Sequence, residues 1–289
     1  LGEEVEKDLI KQGYAPEKAL EVATQVARCF GKVKSDKNEH PANVETLVFV
    51  APVEIDEAMK LARRIAGGEK FDLKEDTAKV LHKVEGAVDI AMFGRMLTDE
   101  KEDNKIVARR AEFSREAAVQ VAHAITTHKA IVEDDYFTAV DELNTRANTG
   151  AGHVDEAGFG SGVFYIYLCI NQDLLVRNLG EDRALARRGV AALIKAAATV
   201  APRGKQASYA SRARCSYILA EKGDATPRTL ASAFLGRIDE RDLLRESIER
   251  LERTREDFAT AYGDAPEFCV MDVEKRQRTL ADIVAFARS

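Results

Sequence analysis

The sequence predicts an α+β fold, an antiparallel sheet with its helices segregated to one face. Three observations lead there. Short apolar runs that read as strands are interrupted by amphipathic helical patterns. Two of those runs, residues 119–128 and 162–170, are joined by a long acidic, glycine-rich excursion and make a central hairpin. Helical patterns also fill both ends of the chain, in residues 3–30, 241–262 and 272–286.

Taken in order, residues 3–30 place Val5, Leu9, Ile10, Ala19, Val22, Ala23 and Val26 at helical spacing. Gly13 and Pro16 divide that pattern into two helices. A polar loop over 33–43 leads to Thr-Leu-Val-Phe-Val at 46–50, which reads as a short strand. Pro52 and Glu54 open a helix that runs to Ala66 and is closed by Gly67-Gly68. Residues 76–82 form a further short helix, and Val-Asp-Ile-Ala-Met-Phe-Gly at 88–94 reads as a strand. Residues 98–113 are charged and irregular. Asn171-Gln-Asp173 is an N-cap for a short helix to Asn178, and residues 181–201 are an Ala/Leu helix ended by Pro202. Short strands are expected at 208–210 and 215–219, around the basic 211–214. Residues 241–262 and 272–286 are amphipathic helices. Nothing repeats and no linker stands out, so one sheet-centred body with insertions is expected.

The excursion over 133–161 needs a purpose. Hairpins close in two to five residues, and structureless loops beyond about 12–15 residues are uncommon unless functional. It is read as an arm. Gly158-Phe-Gly-Ser-Gly162 opens a strand and not a helix, which makes it a hinge for the arm's base more than a phosphate cradle.

With 289 residues, 45% hydrophobic and 32% charged, the chain can bury a sizeable core. No apolar run reaches the ~18 residues of a membrane span. Cys29, Cys169, Cys215 and Cys269 are scattered without zinc spacing and read as buried free thiols of a cytoplasmic protein. The net charge of −6 argues against a nucleic-acid binder. Its distribution argues differently: residues 183–220 carry Arg183, Arg187, Arg188, Lys195, Arg203, Lys205, Arg212 and Arg214 and no acid. Such a stripe suits a polyanion, or equally an acidic partner subunit.

No nucleophile elbow, zincin or Walker pattern is present. His123 and His128 are five apart on an expected strand, hence on opposite faces, and His123 is expected as a core histidine. Asp134, Asp135, Asp155 and Glu156 could hold Mg²⁺ on the arm, or form a solvated acidic tip. Phe93-Gly-Arg-Met96 can present Arg95 to a phosphate while Met96 wedges against a base. Pro202-Arg-Gly-Lys-Gln206 offers two cations and an amide in a loop whose backbone a sugar-phosphate chain can approach. Tyr136 and Phe137 are aromatic in an otherwise acidic arm, either tucked beneath it or free to stack on a base.

In combination these blocks are specific. Phe93-Gly-Arg-Met96, residues 118–128 (Ala-Val-Gln-Val-Ala-His-Ala-Ile-Thr-Thr-His), residues 135–143 (Asp-Tyr-Phe-Thr-Ala-Val-Asp-Glu-Leu), Gly160-Ser-Gly-Val-Phe-Tyr165 and Gly204-Lys-Gln206 occur in an order that resembles the CasC backbone subunit of type I-E CRISPR Cascade. The resemblance runs from about residue 46 to the C-terminus and is densest over 88–167.

It implies a modified RRM-like (ferredoxin-like) palm spanning residues 1–289, a mainly helical fingers insertion in 1–81 and a long β-hairpin thumb over 131–161. It implies a non-catalytic subunit that binds CRISPR RNA, stacks head to tail with further copies, and kinks the RNA at regular intervals with its thumb. The guide is thereby presented to target DNA, within a cytoplasmic complex of other Cascade subunits that needs no cofactor and no membrane. Phe137 is the implied kink residue, with Tyr136 adjacent, and Met96 the apolar wedge. Arg95, Arg203, Lys205 and Gln206 are implied at the RNA backbone. Family members begin with a strand and a basic segment that contacts the RNA; here Leu1 sits one residue before a helical pattern, and that first strand is expected to be missing. The alternative is a metal-dependent endoribonuclease using Asp134, Asp135 or Asp155, as related backbone proteins of other CRISPR types do.

Overall fold

The computed structural model describes the chain apart from residues 35–39, 84, 103–104, 140–152, 237, 239–240 and 289, and the backbone alone at 102, 105, 107, 135, 137–139, 153–155 and 157. In chain order the elements are α1 (Gly2–Lys11), α2 (Pro16–Ala27), α3 (Pro52–Ala66), α4 (Leu73–Val80), α5 (Val88–Phe93), β1 (Glu100–Glu102), β2 (Lys105–Ala108), β3 (Val119–Val121), β4 (Ile125–Thr126), β5 (Val132–Ala139), β6 (His153–Gly160), β7 (Phe164–Tyr165), β8 (Leu168–Ile170), α6 (Gln172–Asn178), α7 (Arg183–Thr199), α8 (Gln206–Tyr209), β9 (Tyr217–Lys222), α9 (Leu243–Tyr262), β10 (Glu267–Asp272) and α10 (Leu280–Arg288). Helices are mixed with small sheets, and the described strands pair two by two: β1-β2, β3-β8, β4-β7, β5-β6 and β9-β10. Two compact units result, residues 1–120 with 170–193, and residues 121–169 with 194–289. No described helix is long and apolar enough to cross a membrane.

The first unit is built on α1, α2 and α3. Val5, Leu9, Ala19, Val22, Ala23, Val26, Leu61 and Ala62 form one buried cluster, the 3.6-residue stripe seen in the sequence. Asp72 caps α4 by accepting from the Lys74 and Glu75 amides, and Asn171 caps α6 by accepting from Leu174.

Three short segments differ from expectation. Of residues 88–94, expected as a strand, Val88–Phe93 form helix α5: Ile90, Ala91 and Met92 are buried in succession, where a strand buries alternate residues. Gly94 ends it at φ +78°, and a Cβ there would meet the Arg115 carbonyl at 2.9 Å. Residues 46–50, expected as a strand, form none: a bend at Thr46 leads into irregular chain that pairs with no described strand. Residues 98–113, expected to be irregular, contain the β1-β2 hairpin.

Two buried arginines fasten this unit. Glu54, in the first turn of α3, accepts from the Ala51 amide at 3.0 Å and the His82 amide at 2.9 Å. Its Oε2 also takes Arg95 Nη1 at 2.7 Å, and neither side chain is more than 1% exposed. Arg95 further donates to the carbonyls of Phe49, His82 and Phe113 at 3.3, 3.2 and 3.0 Å. Arg110 is 1% exposed; it donates to the carbonyls of Arg28 and Thr98 and pairs with Glu100, whose other oxygen takes Arg28 at 2.7 Å. Burial by itself would raise the Glu100 carboxyl, but the bonds from Arg28 and Arg110 outweigh it and hold the carboxyl below its ordinary value of 4.5.

In the second unit β9 and β10 pair antiparallel over six residues. Cys269, Met271 and Ile283 are buried there, with Ile194, Ile218, Ala220, Leu280 and Phe286 packed around them. The helix expected over 272–286 starts only at Leu280, after β10 and a turn. Asp282 accepts from the Thr279 amide at 2.7 Å and sets that start. Of residues 208–210, expected as a strand, Ser208 and Tyr209 end the single helical turn α8 and Ala210 caps it.

The arm exists as a ladder. β5 and β6 pair antiparallel over eight positions, from Val132 opposite Gly160 to Ala139 opposite His153. Its root is anchored beside it. Thr127 and Ser247 are both buried and share a hydroxyl–hydroxyl bond of 2.8 Å. The Tyr165 oxygen accepts from the Leu230 amide at 3.1 Å, and its ring lies 5.3 Å from that of Phe234. His128 Nε2 accepts from the Val163 amide at 3.2 Å.

Of the cysteines, Cys29 and Cys269 are buried, Cys169 is half-buried and Cys215 is exposed, so the expectation of four buried thiols holds only in part. Burial pushes the Cys29 thiol up to about 12.

Arg95→Ala strands the Glu54 carboxylate in the interior and should lower unfolding free energy by about 3–5 kcal/mol in urea titrations. Met96→Ala, one residue away but exposed, should change it by less than about 0.5 kcal/mol. Because the Glu100 carboxyl is lowered in the folded state, its contribution is complete above pH 4.5 and fades as pH falls through the lowered value. Glu100→Gln should therefore reduce the thermal midpoint at pH 7, with the difference from the unaltered chain closing below pH 4.5.

Candidate nucleic-acid interface

In the first unit the turn at Gly94 sends adjacent side chains opposite ways. Arg95 goes inward, into the Glu54 pair, while Met96 is 79% exposed. The expected presentation of Arg95 to a phosphate is thus overturned: an arginine whose guanidinium is already bonded to a buried carboxylate and three carbonyls is a cross-link. Met96 is joined by three further exposed apolar side chains, Leu47, Phe49 and Phe93. Together they border an open hollow of about 390 Å³. Exposed apolar groups gathered this way mark interaction surfaces, and rings among them offer faces for a base.

Leu47 and Phe49 escaped the sequence reading. Val48 and Val50 pack against the helical core while Leu47 and Phe49 point away from it. The signal was present, since a run apolar on both faces must bury one and offer the other.

In the second unit the candidates fall on the arm and on one loop. Tyr136 is 63% exposed and lies opposite Glu156 in the ladder. Phe137 lies opposite Asp155; its side chain, like those of Asp135 and Asp155, is outside the described set. Glu133 and Asp134 are exposed. Among the described residues no group of three or more His, Cys, Asp or Glu is arranged to hold a metal ion. His123 is exposed, so the expected core role does not apply.

The loop after α7 carries the cations. Arg203, Lys205, Arg212 and Arg214 are all exposed and make no ion pair among the described residues. Lys205 sits in the left-handed region at φ 54°, as does Ala210 at φ 47°, so the turn of α8 is bracketed by two reversals. Gln206 Nε2 donates to the carbonyls of Pro202 at 2.5 Å and Ser211 at 2.7 Å, clasping the loop's neck. Its amide donors, expected at an RNA backbone, are used internally, while its Oε1 is buried with no partner among the described residues. The loop can offer unneutralised charge to a polyanion, and each phosphate so met releases counterions.

Comparison with known proteins bears on this arrangement. A chain of a solved structure described as "CRISPR RNA-guided surveillance complex, pre-nicking" superposes with a TM-score of 0.78 at 27% identity, covering 98% of this chain and 81% of its own. A chain of another, described as "CRISPR RNA-guided surveillance complex", gives 0.56 at 30% identity over 70% of this chain and 79% of its own. No curated protein matches. The family model described as "CT1975-like protein" matches residues 1–287, both units included. The chain therefore belongs to the CT1975-like protein family.

Proposed function

We propose that the chain is a CRISPR RNA-binding backbone subunit of an RNA-guided surveillance complex, of the CasC kind. The observation that carries this reading is the likeness over 98% of the chain, at 27% identity, to a chain of such a complex. In this reading β5-β6 is the thumb, the other two-stranded ladders belong to an RRM-like palm, and the α1–α4 region to the fingers. Copies stack head to tail along the guide, each arm reaching the RNA held by its neighbour. A head-to-tail contact that does not close into a ring builds a filament, and the RNA limits its length.

The local physics supports it. A subunit that leaves sequence reading to base pairing needs backbone contacts and little base-specific chemistry. The exposed Arg203 and Lys205 suit that role, while Met96 with Phe49 and Phe93 suits a base turned out of the stack, where stacking is worth about 1–3 kcal/mol. None of these steps makes or breaks a covalent bond, so the subunit needs no catalytic residue.

The full chain, purified from cells, should retain RNA of uniform length, and chemical probing of that RNA should find reactive bases at even intervals. Phe137→Ala should abolish the even spacing while leaving the thermal midpoint unchanged; continuous protection of the RNA in the unaltered chain would overturn the reading. Arg203→Ala and Lys205→Ala should each reduce the slope of log K against log salt by about 0.7. Cleavage of bound RNA at a fixed interval with Mg²⁺, lost in Asp134→Ala, Asp135→Ala or Asp155→Ala, would instead favour the endoribonuclease.

A further inference from the structure

One contact in the second unit joins two features that the functional reading uses separately. The ring of Phe159, next to last in β6, lies against the ring of Tyr209, the last residue of α8. Their centroids are 4.9 Å apart and their planes tilted by 37°. Tilted ring pairs attract beyond the area they bury. Both rings remain part-exposed, at 41% and 37%, so the contact fills no interior. What it does is connect the arm to the cationic loop.

The two ends of the connection differ in stiffness. On the loop side, Tyr209 is held by the left-handed residues at 205 and 210 and by the Gln206 clasp. Its place relative to Arg203 and Lys205 is therefore set by covalent neighbours. On the arm side, Phe159 lies opposite Glu133 near the root of a ladder only two strands wide. Such ladders are marginal alone, and an arm free to swing must be ordered when it binds.

We propose that Tyr209 is a positioning residue for RNA binding: its ring against Phe159 holds the arm at one angle to the loop cations, so that a sugar-phosphate chain meets both in a single geometry. The inference rests on the RNA-binding reading above and deepens it. Tyr209 needs no contact with RNA. Its hydroxyl makes no hydrogen bond among the described residues, so the ring carries the role and phenylalanine can replace it.

The test uses the full chain and the RNA that co-purifies with it. Tyr209→Ala should raise the apparent Kd about 3- to 10-fold, the range of a lost ring pair. The salt slope should stay unchanged, in contrast to Arg203→Ala. Tyr209→Phe should restore wild-type affinity. Phe159→Ala should match Tyr209→Ala, and the double variant should be no worse than either single one. In the protein freed of RNA, amide exchange in residues 132–139 and 153–160 should quicken in Tyr209→Ala and not in Tyr209→Phe. Unchanged exchange and affinity in Tyr209→Ala, losses that add in the double variant, or a salt slope that falls as in the cation variants would each overturn the proposal. Failure of the underlying reading looks different: the unaltered chain itself would retain no RNA, whatever the exchange experiment gives.

Discussion

A carboxylate and a guanidinium with almost no access to water, Glu54 and Arg95, organise the first unit. Neither ion is tolerable in the interior alone, because withdrawing a charge from water costs several kcal/mol. Each is held by the other and by backbone groups at Phe49, Ala51, His82 and Phe113. Those groups belong to separate stretches of chain: the 46–50 segment, the start of α3, the residues just after α4 and a single 3-10 turn, Ala111–Phe113. An apolar pair could fill the same space without orienting any of them. With the guanidinium directed inward at Gly94, its neighbour Met96 is left outside, beside Leu47 and Phe49. The exposed apolar surface is the outer side of a buried ionic knot.

What could be read from the sequence depended on length and on locality. α1, α2, α3 and α7 announce themselves through 10 to 17 residues of periodicity, and α3 through Pro52 and Gly67 at its ends. α5 is six residues long, too short for an apolar run to declare its period, and it resolved as a helix by tertiary context. The helix expected over 272–286 takes in the turn before α10 because residues 273–279 are mostly charged and polar, compatible with a helix, and β10 has no sequence counterpart in that reading. The exposure of Met96 and of the loop cations follows from their polar, glycine-containing surroundings in the sequence. The burial of Arg95 does not, since an arginine in Phe-Gly-Arg-Met reads alike whether a phosphate or a carboxylate awaits it. Its partner Glu54 is 41 residues earlier in the chain.

Net charge says little by itself here, for a related reason. Many of the arginines are already matched: Arg28 and Arg110 with Glu100, Arg63 with Asp8, Arg64 with Glu69, Arg228 with Glu221 and Asp264. A matched cation contributes to shape and little to the far field. The four exposed cations between residues 203 and 214 have no such partners among the described residues, and they are the ones a polyanion would sense. The balance of −6 averages over these two populations and describes neither.

The β5-β6 ladder has a consequence for how copies of the chain tolerate one another. Two strands leave two open edges, and an open edge is a template on which any other extended chain can pair. A row of arms on neighbouring copies could thus zip together into a continuous sheet and lose their separate reach. The strands carry Glu133, Asp134, Asp135, Asp155 and Glu156 and neither Lys nor Arg. Like charges brought face to face repel, so identical arms resist pairing with each other. Wherever two such arms met, the acids of the ladder would keep them apart.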